Sequence, residues 1–386
     1  MTFTNAQLVL PESIEHGSLT VRNGRIANMV RGKKSKPSPN NINLRGGYLA
    51  PGFIDLHIHG ALGRDTMEAT TEAFRTITEF HLRGGTTSIA LTTVTAAENE
   101  ILRVLDAAKA VHNQSLGGSR IAGIHIEGPF ISKDKPGAQN PNQIRAPHES
   151  EWKKYLRYGS LVTEMTVAPE IRGAIPLIRA LKKNGTIVSG GHTNATEEEL
   201  RPALAAGLNH STHTFNAMST ATKRGPYRIA GMLEFALAHR EVCCELIADG
   251  VHVAPTLMRM LFNAKGREGV CLITDATSGA GLKPGETFQI GGVSARVTPD
   301  AALTMDGHAL AGSTLTMIEG VRRSVQLGGI SLVDAVRMAS LNPARQLRRD
   351  HELGLLEQGK RADLVWFDKQ FRVRGAWLDG DVRFLA

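Results

Sequence analysis

From residue 53 onward the chain repeats one rhythm: a short, nearly unbroken apolar run, then a longer stretch with apolar positions at helical spacing. The apolar runs cover 53–57, 88–92, 120–125, 164–168, 186–189, 209–212, 243–247 and 270–274. Between them the pattern predicts helices that include 71–82, 100–111, 171–183, 196–206 and 255–265. Thr196-Glu197-Glu198-Glu199 has the form of a capping box and marks where one of these helices starts. Apolar runs too short for helices read as buried parallel strands, which need crossover helices to join them. Eight strands in such alternation predict an α/β chain folded as a (β/α)8 barrel of the TIM type.

Both ends break the rhythm. The first fifty residues are β-rich, with 18–21 and 25–30 flanking Asn23-Gly24, a strong hairpin signal. After the eighth run come a turn-rich β insertion near 281–307, helices over 313–327 and 331–340, and strand-like segments at 362–367 and 382–385. The expected organisation is a barrel over 51–345, with 1–50 and 346–386 pairing into one small β-sandwich.

Composition narrows the class. With 386 residues, 41% hydrophobic and 21% charged, the chain suits a soluble globular enzyme. No apolar run spans a bilayer, and the start has no basic segment leading into an apolar one, so no membrane role and no secretory signal are expected. Cys243, Cys244 and Cys271 fall inside predicted strands without C-x-x-C spacing. Buried, reduced thiols point to the cytoplasm. The net charge of +8 admits nucleic acid or a phosphorylated small molecule. Its densest basic run, Arg31-Gly32-Lys33-Lys34-Ser35-Lys36, reads as a solvated loop, and aromatics are only 5% of the chain, too few for base-stacking platforms. No nucleic-acid partner is expected.

Candidate chemistry sits where a barrel of this type keeps it, after the C-terminal ends of the strands. The first strand ends in His57 and His59, spaced so that both imidazoles face one side and can share an ion. The third runs into His125-Ile126-Glu127, and the fifth is followed by Gly191-His192-Thr193. The sixth ends in His210-Ser211-Thr212-His213, the seventh leads to Asp249-Gly250-Val251-His252, and the eighth to Thr274-Asp275-Ala276. Imidazoles and carboxylates are ligands for divalent ions, and a catalytic site of this kind activates water. Four histidines with Glu127 suffice for two ions, with Glu127 placed to bridge them. Asp275 is then free to move protons.

In this order the motifs resemble the amidohydrolase superfamily and, within it, the N-acetylglucosamine-6-phosphate deacetylases. The resemblance runs from Pro51-Gly52-Phe53-Ile54-Asp55 through His125-Ile126-Glu127-Gly128-Pro129-Phe130, Gly191-His192-Thr193-Asn194 and His213-Thr214-Phe215-Asn216-Ala217-Met218 to Gly359-Lys360-Arg361-Ala362-Asp363. It implies metal-dependent hydrolysis of an acetamide on a phosphorylated amino sugar. Glu127, His192 and His213 match the core metal ligands, and His57 and His59 match the pair found in members with a second ion. Zinc is the expected metal, one or two ions, with Fe²⁺, Mn²⁺ or Co²⁺ as alternatives. Asp275 matches the proton-shuttling aspartate, Asn216-Ala217 a substrate-contacting segment, and His252 a histidine facing the scissile carbonyl. Arg224 matches a phosphate-binding arginine supplied across a homodimer interface, with Arg228 as the second candidate.

One position departs from the family. Gly137-Ala138-Gln139-Asn140 stands where members usually carry a histidine, so Gln139 is expected at the substrate but cannot carry charge. A related substrate, N-acetylgalactosamine 6-phosphate, therefore stays open. So does a non-catalytic sugar-phosphate-binding protein on the same fold, although Asp275 and every expected ligand are present. A cyclic-amidase reading is disfavoured, because the fourth strand ends Val167-Ala168-Pro169-Glu170 without the lysine those enzymes modify.

Overall fold

The computed structural model describes residues 1–32 and 41–386, so the lysines of the basic run, Lys33, Lys34 and Lys36, lie outside the described residues. Eight parallel strands stand side by side in sequence order: β1 Phe53–Ile58, β2 Thr86–Thr93, β3 Arg120–Glu127, β4 Val162–Val167, β5 Ile187–Gly190, β6 His210–Ser211, β7 Cys243–Ile247 and β8 Val270–Ile273. Every residue of β1, β2, β5, β7 and β8 is buried, as strands covered on both faces must be. Helices such as Thr71–Arg83, Glu98–Val111, Ala174–Asn184 and Pro255–Lys265 supply the outer layer, each turning an apolar stripe inward. In Thr71–Arg83 that stripe is Ala73, Phe74, Ile77 and Leu82, and the Thr70 hydroxyl caps the helix start by accepting from the Ala73 amide.

The ring closes between β1 and the segment after β8. The Asp275 amide donates to the His57 carbonyl at 2.9 Å, and the His59 amide donates to the Ala276 carbonyl at 2.8 Å. Asp55 clamps the same seam by accepting from the Thr274 hydroxyl at 2.6 Å and the Thr274 amide at 3.2 Å. Complete burial raises the Asp55 carboxyl to about 7 despite those bonds. Closure is thus what brings His57, His59 and Asp275 together.

The termini form a separate eight-stranded sheet in which Leu364–Phe367 pairs with Tyr48–Pro51, and Tyr48–Pro51 with Thr2–Val9. Phe3 and Trp377 lie three strands apart in the sheet order, yet their rings are 4.8 Å apart. The sheet therefore folds over on itself as a sandwich around an apolar core. The expected hairpin joins Ile14–Arg22 to Arg25–Arg31, and its turn residues Asn23 and Gly24 have φ of 50° and 73°, the type I′ signature. The insertion after β8 is a three-stranded meander, Thr287–Ile290, Val293–Val297 and Ala302–Thr304. No described helix is long and apolar enough to cross a membrane.

Candidate metal centre and active site

After β5, β6 and β8 the chain enters the left-handed region at a non-glycine residue: His192 (φ 47°), His213 (φ 28°) and Asp275 (φ 49°). Each such conformation costs roughly 1–3 kcal/mol and persists only where the surroundings enforce it. The kinks bring these three side chains into one cluster with those of β1 and β3.

Two triads of ligand-type atoms result, Glu127 with His192 and His213, and His57 with His59 and Asp275. In the first, Glu127 Oε1 is 3.1 Å from His192 Nε2 and 3.0 Å from His213 Nε2. In the second, Asp275 Oδ1 is 3.5 Å from His57 Nε2 and 3.3 Å from His59 Nε2. Glu127 joins them, with Oε2 only 3.4 Å from His59 Nε2. All six side chains are nearly or completely buried.

Outer partners set the direction of the lone pairs. His57 Nδ1 donates to Glu245 Oε2 at 3.2 Å, and His192 Nδ1 donates to the Lys135 carbonyl at 2.8 Å. In the neutral rings, both Nε2 lone pairs then face the centre. The concentrated negative charge demands positive charge in return. Burial alone would lower His57 and His59, yet facing Glu127 and Asp275 hold His57 well above its ordinary value and His59 at about 9. Burial alone would raise the two carboxyls, but the imidazoles hold Glu127 well below the usual range and Asp275 at about 2. Convergent Nε2 atoms 3.1–3.2 Å apart, interleaved with carboxylates, are a donor set that fits divalent ions of the zinc type.

The centre opens into a cavity of about 230 Å³ whose walls include Asn216, Ala217 and His252, with Ile290 contributed by the insertion. Asn216 is tied down, its side-chain amide donating to the His213 carbonyl at 3.2 Å. His252 Nδ1 is 2.6 Å from Asp249 Oδ2, while the Val251 and His252 amides donate to Asp249 Oδ1, each at 2.8 Å. Burial opposes charge on His252, but Asp249 raises its pKa nonetheless.

Gln139, expected at the substrate, lines the cavity, and its side chain also meets two protein partners. Its Nε2 donates to Glu127 Oε2 at 2.6 Å, and its Oε1 accepts from the Thr95 amide at 2.7 Å. It therefore orients Glu127, a candidate metal ligand. The same loop passes so close to His192 that a Cβ on Gly137 (φ 55°) would stand 3.1 Å from the ring. Arg224 and Arg228 are not brought to this cavity within one chain. They sit exposed on a hairpin of Thr222–Arg224 and Tyr227–Ile229, where Arg224 meets Glu198 at 2.9 Å.

His125 lies beneath the centre, its Nε2 2.8 Å from Thr166 Oγ1 and its ring 4.5 Å from that of His57. Burial, reinforced by His57, holds it well below its ordinary pKa and so neutral. Of the site's support, Asp55, Thr274 and Asp249 stand in motifs read from sequence but were given no role there, and Glu245 was not singled out at all. A carboxylate inside the apolar run Cys243-Cys244-Glu245-Leu246-Ile247 was the available signal for Glu245.

Known proteins extend this picture. The amidohydrolase family pattern matches residues 48–383. The N-acetylglucosamine-6-phosphate deacetylase of Bacillus subtilis is 37% identical over 97% of this chain and 94% of its own. The N-acetylgalactosamine-6-phosphate deacetylase of a Shewanella species is 35% identical over 96% and 93%. Among solved structures, an N-acetyl-D-glucosamine-6-phosphate deacetylase variant from Mycobacterium smegmatis, in complex with N-acetyl-D-glucosamine-6-phosphate, superposes with a TM-score of 0.91. It is 31% identical, and the match covers 99% of each chain. The chain belongs to the amidohydrolase family and groups within it with the N-acetylglucosamine-6-phosphate deacetylases.

Proposed function

We propose that this chain hydrolyses the acetamide of N-acetylglucosamine 6-phosphate, giving glucosamine 6-phosphate and acetate. The observation that carries the reading is the pair of ligand triads, Glu127–His192–His213 and His57–His59–Asp275, meeting at one cavity. Their donor set suits one or two divalent ions, zinc first, which when bound supply Lewis-acid polarisation and bring a water's pKa toward neutrality.

The chain's own groups supply the rest. Asp275, held ionised by its histidines, takes the proton of the attacking water as oxygen adds to the acetyl carbon. It returns that proton to the nitrogen as the carbon–nitrogen bond breaks, so the acetyl group leaves as acetic acid, which ionises to acetate, and the free amine remains. His252, with Nδ1 turned to Asp249, offers its other nitrogen to the acetyl oxygen or a sugar hydroxyl. Asn216 and Ala217 form the wall that fixes the sugar.

Phosphate binding falls to Arg224, with Arg228 beside it, reaching from their exposed hairpin into the cavity of a second copy in a homodimer. The three free, buried cysteines suit the cytoplasm. Acetate release from N-acetylglucosamine 6-phosphate by the zinc-loaded chain tests the assignment, run beside the galacto epimer and the unphosphorylated sugar. Preferred turnover of the phosphorylated gluco compound is expected. Absence of turnover with metal verified in the site would overturn it.

A further inference from the structure

Beneath the two triads lies a completely buried carboxylate, Glu245, on β7. Its Oε2 accepts two hydrogen bonds, from His57 Nδ1 at 3.2 Å and from the His213 backbone amide at 3.0 Å. Its own carbonyl accepts from the Thr214 amide at 2.9 Å. One residue therefore grips a ligand ring of one triad and the kinked backbone that carries a ligand of the other.

We propose that Glu245 is a positioning residue that locks both halves of the metal centre from below. The ring bond fixes the His57 tautomer and raises the basicity of the nitrogen facing the ion. The two contacts at 213–214 hold the chain where His213 adopts a φ of 28°, a conformation that would otherwise relax. Neutral core packing does not account for the residue, because a buried carboxylate is costly unless its bonds are needed. Its other oxygen has no hydrogen-bond partner, and it faces Glu164 and His210, whose side-chain oxygens and ring nitrogens are unpartnered as well. The bonds to His57 and His213 are thus the side-chain bonds that hold it.

The inference rests on the metal-dependent reading above. It is tested by metal binding itself, so its failure and that of the substrate assignment are separable. Zinc affinity of the purified full chain is measured by competition with a chromophoric chelator, and the cobalt-substituted protein gives the ligand-field spectrum. Glu245→Gln is expected to weaken the ion at the His57–His59–Asp275 triad roughly 10–100-fold and to shift the cobalt bands. Asp363→Asn, a buried carboxyl bonded to Arg120 and the Asp379 amide and to no ligand, is the control and is expected to bind within threefold of the parent. Parent-like affinity and spectrum in Glu245→Gln would overturn the proposal. So would equal losses in both variants, which would mark a general effect of core charge. If Glu245→Gln does not fold, Glu245→Asp, which keeps the charge but draws it back from His57, is expected to lose affinity, and parent-like binding there overturns the proposal.

Discussion

Gln139→Ala separates a residue that touches substrate from one that orients a metal ligand. In the structure its amide bridges the Thr95 N–H and Glu127 Oε2, at 2.7 and 2.6 Å. A hydrogen bond to a charged group contributes about 1.5–3 kcal/mol, against about 0.5–1.5 kcal/mol for a neutral one. The alanine removes one restraint on the buried carboxylate, which His192 and His213 still hold at its other oxygen, so the charged bond is the part that reports on ion binding. At roughly 1.4 kcal/mol per tenfold, its loss should weaken metal binding by about 10–150-fold. The neutral bond to Thr95 should appear instead as a lower melting temperature of the metal-free chain.

Chelator competition measures the first effect and thermal unfolding the second. Gln139→His is the informative partner, because an imidazole keeps one donor and one acceptor and should hold affinity within about fivefold. Unchanged metal affinity in Gln139→Ala, with only the KM for substrate raised, would refute the reasoning and return Gln139 to the role expected from sequence.

Other outcomes follow from the same geometry. Asp275→Asn should lower kcat by about 10²–10⁴-fold in steady-state assays, the usual worth of a general acid–base group, while the chain still folds. Because Asp249 raises the His252 pKa against burial, the pair's stabilisation is complete below pH 6.5 and is lost as pH climbs through the raised value. Asp249→Asn should therefore move the basic limb of the kcat/KM profile to lower pH, and an unmoved limb would exclude His252 from the rate. Arg224→Gln should raise KM for the phosphorylated sugar but leave the melting temperature almost unchanged, since its exposed pair with Glu198 contributes little. Stripping the ions should destabilise the chain by about 2.7 kcal/mol for free metal at 100 times Kd, and re-addition should restore the melting temperature.

What could be read from sequence and what could not divides along a physical line. The eight strands were visible because a parallel strand covered on both faces is an uninterrupted apolar run, and β7 was placed to the residue. His57 and His59 were visible because a spacing of two on a strand forces a common face. Short or interrupted elements were not: Met232–Ala238 and Glu149–Leu156 are too brief for periodicity to register, and the hairpin bearing Arg224 is exposed on all its residues but Ile229.

The support of the site was hidden for a different reason. Glu245, Asp249 and Asp55 act through residues that are 32, 3 and 219 positions away, and only ring closure or the turn itself brings them together. Gln139 was noticed as a departure, but its partner Glu127 could not be, because a carboxamide reads the same whether it meets a sugar or a ligand. Positive φ at His192, His213 and Asp275 has no compositional mark either, since glycine is what such positions ordinarily announce. Candidate ligands can thus be inferred one strand at a time, whereas the residues that aim them are defined by pairs. One of those pairs, Glu245 with the His213 amide, holds a strained kink worth about 1–3 kcal/mol in register with the cavity. Substitutions at Glu245 and Gln139 should for that reason be felt at the metal before they are felt anywhere else in the fold.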